Sequence, residues 1–191
     1  MPERVTIEAA IAQLERCQPS LIAIDGLPCS GKTTLAEQLQ RRLGVDYVGL
    51  DEFVLPEQDW VSRNKPAFPF EFIRYKEFIN AVQSLATAGE CSFYPFDFDT
   101  LRVLQQSRTV TLAKPVVIEG VSSLNPFLCP LYDIRIFVDS DRTTTLQAAI
   151  QRGVGHWETE WRELFLPSVD LYMLTEPQNR ADLIVAGRGA S

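Results

Sequence analysis

Apolar residues along the chain fall into two alternating rhythms. Short runs that are apolar on both faces, such as Leu21-Ile22-Ala23-Ile24, Val116-Val117-Ile118 and Leu183-Ile184-Val185, alternate with stretches in which apolar positions recur every three or four residues. The first pattern belongs to strands buried on both sides, the second to amphipathic helices. Taken in order, the pattern predicts a leading helix over 3–16 (Ile7, Ala10, Ile11, Leu14), a strand over 20–25, and a helix over 32–43 with Leu35, Leu39 and Leu43 on one face and Gly44 as its C-cap. A strand over 45–50, a loop rich in Pro and charge (52–69) and a helix over 70–87 presenting Phe72, Tyr75, Ile79, Val82 and Ala86 come next. Two short β-prone runs, 91–96 and 108–112, predict an antiparallel ribbon. Pro115 opens a strand that ends at Glu119-Gly120; a strand over 133–138, a helix from Ser140 or Asp141 to Arg152, a break at Gly153-Val154-Gly155, a helix pair over 157–176 and a strand over 182–185 complete the order.

Strands of this kind separated by helices predict an α/β fold with a parallel sheet covered on both faces, and ligands in such sheets bind at the carboxyl ends of the strands. That rule puts Gly26–Thr33, Asp51, Glu119 and Asp139 on one rim. The strand before Asp51 is expected to adjoin the one before Gly26, so that Asp51 can face the loop.

The loop between the first apolar strand and its helix reads Gly26-Leu27-Pro28-Cys29-Ser30-Gly31-Lys32-Thr33, a complete G-x-x-x-x-G-K-[ST] pattern in the strand–loop–helix context it requires. Glycines allow successive backbone N–H groups to point at one anion, and the helix N-terminus adds the positive end of its dipole. Gly26, Cys29, Ser30, Gly31, Lys32, Thr33 and Thr34 are therefore candidate nucleotide-binding residues. Lys32 would reach the β- and γ-phosphates and Thr33 would hold Mg²⁺. Glu119, at the end of an apolar strand, is a second candidate for the Mg²⁺ shell. Asp51 is placed to align an acceptor hydroxyl and take its proton. Other users of such loops fit less well. A GTPase needs N-K-x-D, and Asn64-Lys65-Pro66-Ala67 lacks the aspartate; motor ATPases normally end the corresponding strand in Asp or Asp-Glu, where this chain has Glu119-Gly120.

Composition narrows the partners. With 191 residues, 46% of them apolar, the chain suits one well-cored domain. A net charge of −7 and no Lys/Arg run argue against nucleic acid and for small-molecule substrates. Cys17, Cys29, Cys91 and Cys129 have no metal-ligand spacing, and the single histidine, His156, cannot complete a zinc site with them. They read as reduced thiols of a cytoplasmic protein. No apolar leader and no uncharged apolar stretch of ~18 residues is present, so neither secretion nor a membrane partner is expected. Assembly into a homo-oligomer stays open.

The segments Gly26–Thr33, Asp51-Glu52-Phe53, Tyr94-Pro95-Phe96-Asp97-Phe98, Val117-Ile118-Glu119-Gly120, Tyr132 to Asp139, Arg152 and Ala181 to Val185 together resemble the uridine kinase and phosphoribulokinase-like family of P-loop kinases, in order and from about residue 20 onward. The resemblance implies a P-loop NTPase three-layer sandwich with a five-stranded parallel sheet, a small β-ribbon over the acceptor site and a helical lid at about 150–165. It implies ATP and Mg²⁺ as cofactors, Asp51 as base, Arg152 as a lid arginine on the transferring phosphate, and Arg188 near the adenine. Asp51, Phe53, Glu71, Tyr94, Phe96 and Asp97 would line the acceptor. Departures cluster on that side: Glu71 stands where the family has aspartate, Phe96 where it has tyrosine, Leu101 near an expected histidine, and Ala149 near an expected lid arginine. The expectation is a kinase for the hydroxyl of a nucleoside, with another acceptor (nicotinamide riboside, pantothenate, a sugar alcohol) or a P-loop nucleotide switch or ATPase as alternatives.

Overall fold

The computed structural model describes residues 1–60, 65–153 and 157–190. The chain runs through β1 (Glu3–Val5), α1 (Ile7–Cys17), β2 (Leu21–Gly26), α2 (Lys32–Leu43), β3 (Asp46–Gly49), α3 (Glu57–Trp60), α4 (Tyr75–Ala88), β4 (Glu90–Phe93), β5 (Phe96–Asp97), β6 (Arg102–Val103), β7 (Arg108–Thr111), β8 (Val116–Glu119), β9 (Ile134–Asp139), α5 (Arg142–Gly153), α6 (Glu158–Glu160), α7 (Leu166–Met173) and β10 (Leu183–Ala186). Six strands form one sheet in the order β1-β10-β9-β2-β8-β3, parallel at every pairing.

Side chains alternate between two cores across this sheet. Ile22, Ile24, Ile136, Val138 and Val185 face α1 and α2, where Ile11, Leu14, Leu35 and Leu39 close one layer. Leu21, Ala23, Ile118, Phe137 and Ile184 face the opposite layer of Phe78, Val82 and Leu85 from α4 and Val169 and Tyr172 from α7. Burial on both faces is why these strands read as continuous apolar runs.

Three expectations are corrected. The sheet has six strands where five were expected, because Glu3–Val5, read as the start of a helix, pairs in parallel with Leu183–Val185. The Thr6 hydroxyl accepts from the Ala9 N–H (3.1 Å) and starts α1 at Ile7, which frees the three residues before it. The strand before Asp51 does not adjoin the loop strand, since β8 lies between β2 and β3. The helix expected from residue 70 begins at Tyr75, because the chain ahead of it is held in a turn, with the Ile73 N–H on the Phe70 carbonyl, by a bridge between Val54 and Ile73 and by the Leu55 N–H on the Phe72 carbonyl.

The expected ribbon is present as β4 and β7, antiparallel with Glu90 opposite Thr111 and the hydroxyls of Ser92 and Thr109 2.8 Å apart. A second, smaller ribbon of β5 and β6 extends it. The predicted helix pair over 157–176 is interrupted at Trp161–Phe165 by a π turn, in which the Leu166 N–H reaches back to the Trp161 carbonyl. Pro167 accounts for the wider turn: it has no N–H for the Glu163 carbonyl and its ring crowds that turn. Among the described residues no helix is long and apolar enough to cross a membrane.

Phe78 is fully buried, with its ring 5.4 Å from that of Phe53 in an edge contact. Phe78→Ala should cost about 3–5 kcal/mol of unfolding free energy, measured by urea titration; a loss under about 1 kcal/mol would show that this layer is not a close-packed core.

Candidate active site

The phosphate loop is shaped by backbone crowding. Gly26 has φ 149°, and a Cβ there would lie 2.6 Å from the Val138 carbonyl oxygen. Cys29 takes a left-handed φ of 60°, and Gly31 caps α2 with no side-chain hydrogen bond to the first turn. The first N–H groups of α2 thus lack a side-chain cap at the mouth of the loop, the arrangement that accepts an anion. Lys32 folds back over the loop: its Nζ donates to the Leu27 carbonyl (2.9 Å) and lies 3.8 Å from Glu119 Oε1, with both side chains nearly buried. Ser30 is buried, while Thr33 and Thr34 are exposed on the first turn. Behind the loop, Arg188 donates its Nε to the Cys29 carbonyl (3.0 Å) and its backbone N–H to the Ser30 carbonyl (2.9 Å).

Glu119 and Asp51 reach the same rim from different elements. Glu119 ends β8 between Ile24 of β2 and Gly49 of β3. Asp51 sits exposed on a 3₁₀ turn, Leu50–Phe53, that follows β3. This turn packs onto Gly120, where φ is 149° and a Cβ would overlap the Leu50 side chain. Adjacency of strands therefore does not bring Asp51 to the rim; the turn does, by folding over the end of the intervening strand.

Two arginines fix that turn, and neither was singled out from sequence. Arg108 of β7 donates one guanidinium nitrogen to Glu52 Oε1 (2.5 Å) and another to the Tyr47 carbonyl (2.6 Å), while Glu52 Oε2 accepts from the Gly49 N–H (3.0 Å). Arg74, just before α4, donates to the carbonyls of Glu52 (2.9 Å) and Tyr94 (2.6 Å) and pairs with Glu77. The Asp51 turn and the ribbon are tied into one unit.

The structure separates the residues expected to line the acceptor. Phe53 is fully buried, packed on Phe78 and Phe93 with Arg74 over its ring, so it supports the site from the core and does not line it. Phe96 is also buried, in edge contact with the half-exposed Phe98. Tyr94 and Glu71 are exposed. The Asp97 carboxylate closes its own turn by accepting from the Thr100 hydroxyl (2.5 Å) and the Thr100 and Asp99 N–H groups; the Thr100 hydrogen bond holds its carboxyl below the usual range. The segment expected as a lid approaches these residues through Trp157 against Phe98 and Phe165 against Phe72. The Arg152 side chain and His156 lie outside the described residues.

Sequence reasoning also missed Asp25, the last residue before the loop. It is fully buried, and its two oxygens accept from the Gly26 N–H (2.6 Å), the Ser122 N–H (3.2 Å), the Leu124 N–H (2.8 Å) and the Tyr172 hydroxyl (2.5 Å). Burial pushes its carboxyl above the usual range, opposed by these hydrogen bonds and by the charge of Lys32. The Tyr172 hydroxyl is pushed far up by burial and by the Asp25 charge, which keeps it a donor.

No protein-family model matches the chain. By sequence it is similar to the uridine kinase of Clostridium perfringens (strain ATCC 13124), 26% identical over 150 residues that cover 72% of this chain and 70% of that protein. By structure it is similar to a possible uridine kinase from Bacillus stearothermophilus (TM-score 0.72, 22% identity, covering 94% of this chain and 96% of that one) and to phosphoribulokinase from Rhodobacter spheroides (TM-score 0.63, 16% identity, covering 88% and 70%). The fold is that of the P-loop kinases.

The contact at Gly120 makes a sharp test of how Asp51 is held. Gly120→Ala should destabilise the protein by about 1–3 kcal/mol through overpacking and strained backbone and should displace the Asp51 turn; thermal unfolding and a crystal structure of the variant would read both effects. An unshifted turn at unchanged stability would remove Gly120 from the account.

Proposed function

We propose that the chain is an ATP- and Mg²⁺-dependent kinase that transfers the γ-phosphoryl group to a hydroxyl of a small neutral molecule, with a nucleoside as first candidate. The observation that carries this reading is the convergence on one rim of the phosphate loop, the Lys32 and Glu119 pair at 3.8 Å, and the Asp51 turn seated on Gly120. A nucleotide switch needs no carboxylate held by a ribbon beside its phosphate loop, and the arginine clamps on the Asp51 turn favour a phosphoryl acceptor on that side.

In this reading the loop's N–H groups and Lys32 hold the phosphates, and Lys32 exchanges the Leu27 carbonyl for a phosphate oxygen. Asp51 accepts the proton of the attacking hydroxyl, and Arg152, from a lid spanning about 150–165 of a single domain, closes over the transferring group. The Thr33 hydroxyl and the Glu119 carboxylate are hard oxygen donors of the type Mg²⁺ takes alongside phosphate oxygens, and they would hold it. When bound, the ion offsets charge on the β- and γ-phosphate oxygens. Arg188, braced against the back of the loop, would border the base of ATP.

The acceptor side supports a neutral substrate. Arg74 and Arg108 are engaged by Glu52, Glu77 and backbone carbonyls, an arrangement that favours an uncharged alcohol over an acidic acceptor such as pantothenate. Tyr94 and Glu71 are the exposed candidates for contact with it, and Phe98 supplies an exposed aromatic face. Four free thiols support a cytoplasmic location.

ATP consumption with Mg²⁺ should rise when an acceptor from a panel of nucleosides, vitamins and sugars is added, and Asp51→Asn should lower kcat by about 10²–10⁴-fold for loss of a general base. No stimulation by any acceptor would discard the kinase reading, and full activity in Asp51→Asn would discard the base. A second measurement needs no acceptor. Cys17 is exposed and Cys29 half-buried, whereas Cys91 and Cys129 are buried, with the Cys91 thiol pushed up to about 11 by burial. A thiol reagent should modify the first pair, and MgATP should slow modification at Cys29 while leaving Cys17 unchanged; equal rates at Cys29 with and without nucleotide would count against occupancy of the loop.

A further inference from the structure

The buried carboxylate before the phosphate loop has no task in the reaction just described, yet it joins the loop, the chain that follows Glu119, and α7. Its Gly26 contact is to the first residue of the loop. Its Ser122 and Leu124 contacts are to the chain that follows Glu119 and Gly120. Its Tyr172 contact is to α7, the helix that continues from the lid segment and is tied to α5 by Arg142 on Asp170 (2.6 Å). Core packing alone does not call for a carboxylate here, because burying one is costly unless it is fully hydrogen-bonded. Four converging donors require an acceptor with two oxygens, and this aspartate supplies both.

We propose that Asp25 is a positioning residue for the phosphate loop, and that through Tyr172 it makes the loop's geometry depend on the seating of α7. The inference rests on the kinase reading, since it assigns Asp25 to the grip on the nucleotide's β-phosphate. An asparagine in its place has one acceptor oxygen. If that oxygen faces Gly26 and Ser122, the amide nitrogen confronts the Leu124 N–H; if it turns, the Gly26 and Ser122 N–H groups lose their acceptor. Either way one of the joined segments is released while the shape of the side chain is kept.

The test is binding of ADP and of AMP to the full chain by calorimetry, at a temperature where circular dichroism shows each variant folded. Asp25→Asn should weaken ADP at least tenfold and AMP less than threefold, because the loop holds the β-phosphate that AMP lacks. Tyr172→Phe should weaken ADP about threefold with AMP unchanged, and the double variant should be no weaker than Asp25→Asn alone. A residue that only stabilised the fold would lower the unfolding temperature and leave both affinities of the folded protein alone, or reduce both alike; either result in Asp25→Asn overturns the proposal. Should Asp25→Asn not fold, Tyr172→Phe decides on the same ADP-to-AMP ratio, and an unchanged ratio overturns it. A wild-type chain that binds no ADP overturns the kinase reading and this inference together, whereas ADP binding that is equal in the wild type and in Asp25→Asn overturns the inference alone.

Discussion

Backbone crowding at the carboxyl ends of the parallel strands is the constraint on which the site depends. β2 ends where Gly26 meets the Val138 carbonyl, and β8 ends where Gly120 meets Leu50; in both places a Cβ would occupy space already taken. The consequence is geometric. Chains that approach this closely leave their turns no latitude, so the phosphate loop leaves β2 in one direction and the Asp51 turn lies down on the end of β8. A parallel sheet brings its strand ends to one rim as a matter of topology, but it does not fix how the turns beyond them are aimed. Here the two contacts do that, one for the phosphate loop and one for the Asp51 turn.

Electrostatics then sorts the two sides of the rim. The chain is acidic overall, yet its phosphate side presents the N-terminus of α2 and Lys32, whose partner Glu119 lies at 3.8 Å, longer than a direct hydrogen bond. In the proposed reaction the ammonium would move from the Leu27 carbonyl to a phosphate oxygen, a shift that this looser pairing permits. The side of the Asp51 turn is arranged in the opposite way. Arg108 and Glu52 meet at 2.5 Å, and Arg74 is held by Glu77 and by the carbonyls of Glu52 and Tyr94. These cations act as struts: their charge is matched inside the protein, and their planar, multi-donor heads hold the Asp51 turn and the ribbon at fixed separation.

The sheet and the phosphate loop were legible because two-sided burial leaves a continuous apolar run, and because the loop's spacing encodes a backbone shape. What lay outside that code was read less well. Three residues before Thr6 carry too short a pattern to distinguish a strand from a helix start, and β1 became visible only through its partners Leu183–Val185. Strand order was not legible either, since nothing in residues 46–49 states that β8 will lie between them and β2. Aromatic residues near the ribbon were assigned to the acceptor by position in the chain; Phe53 and Phe96 were instead recruited to the core, the default for phenylalanine. Asp97 carried a readable signal, because an aspartate three residues before Thr100 suits a side-chain-closed turn.

Asp25 carried the clearest overlooked signal. A single carboxylate in the strand Leu21–Gly26, where every residue is buried, must be answered by donors from outside the strand, and no apolar neighbour can supply them. The donors come from the loop, from the chain beyond β8 and from α7, so the cost of burying the acid is offset only when all three are in place. Removing any one raises the cost of keeping the others, which makes their assembly cooperative in a way that apolar contacts of equal area would not be. A buried acid at the root of the loop thus does what packing cannot: it makes the shape of the loop conditional on the seating of the chain beyond β8 and of α7.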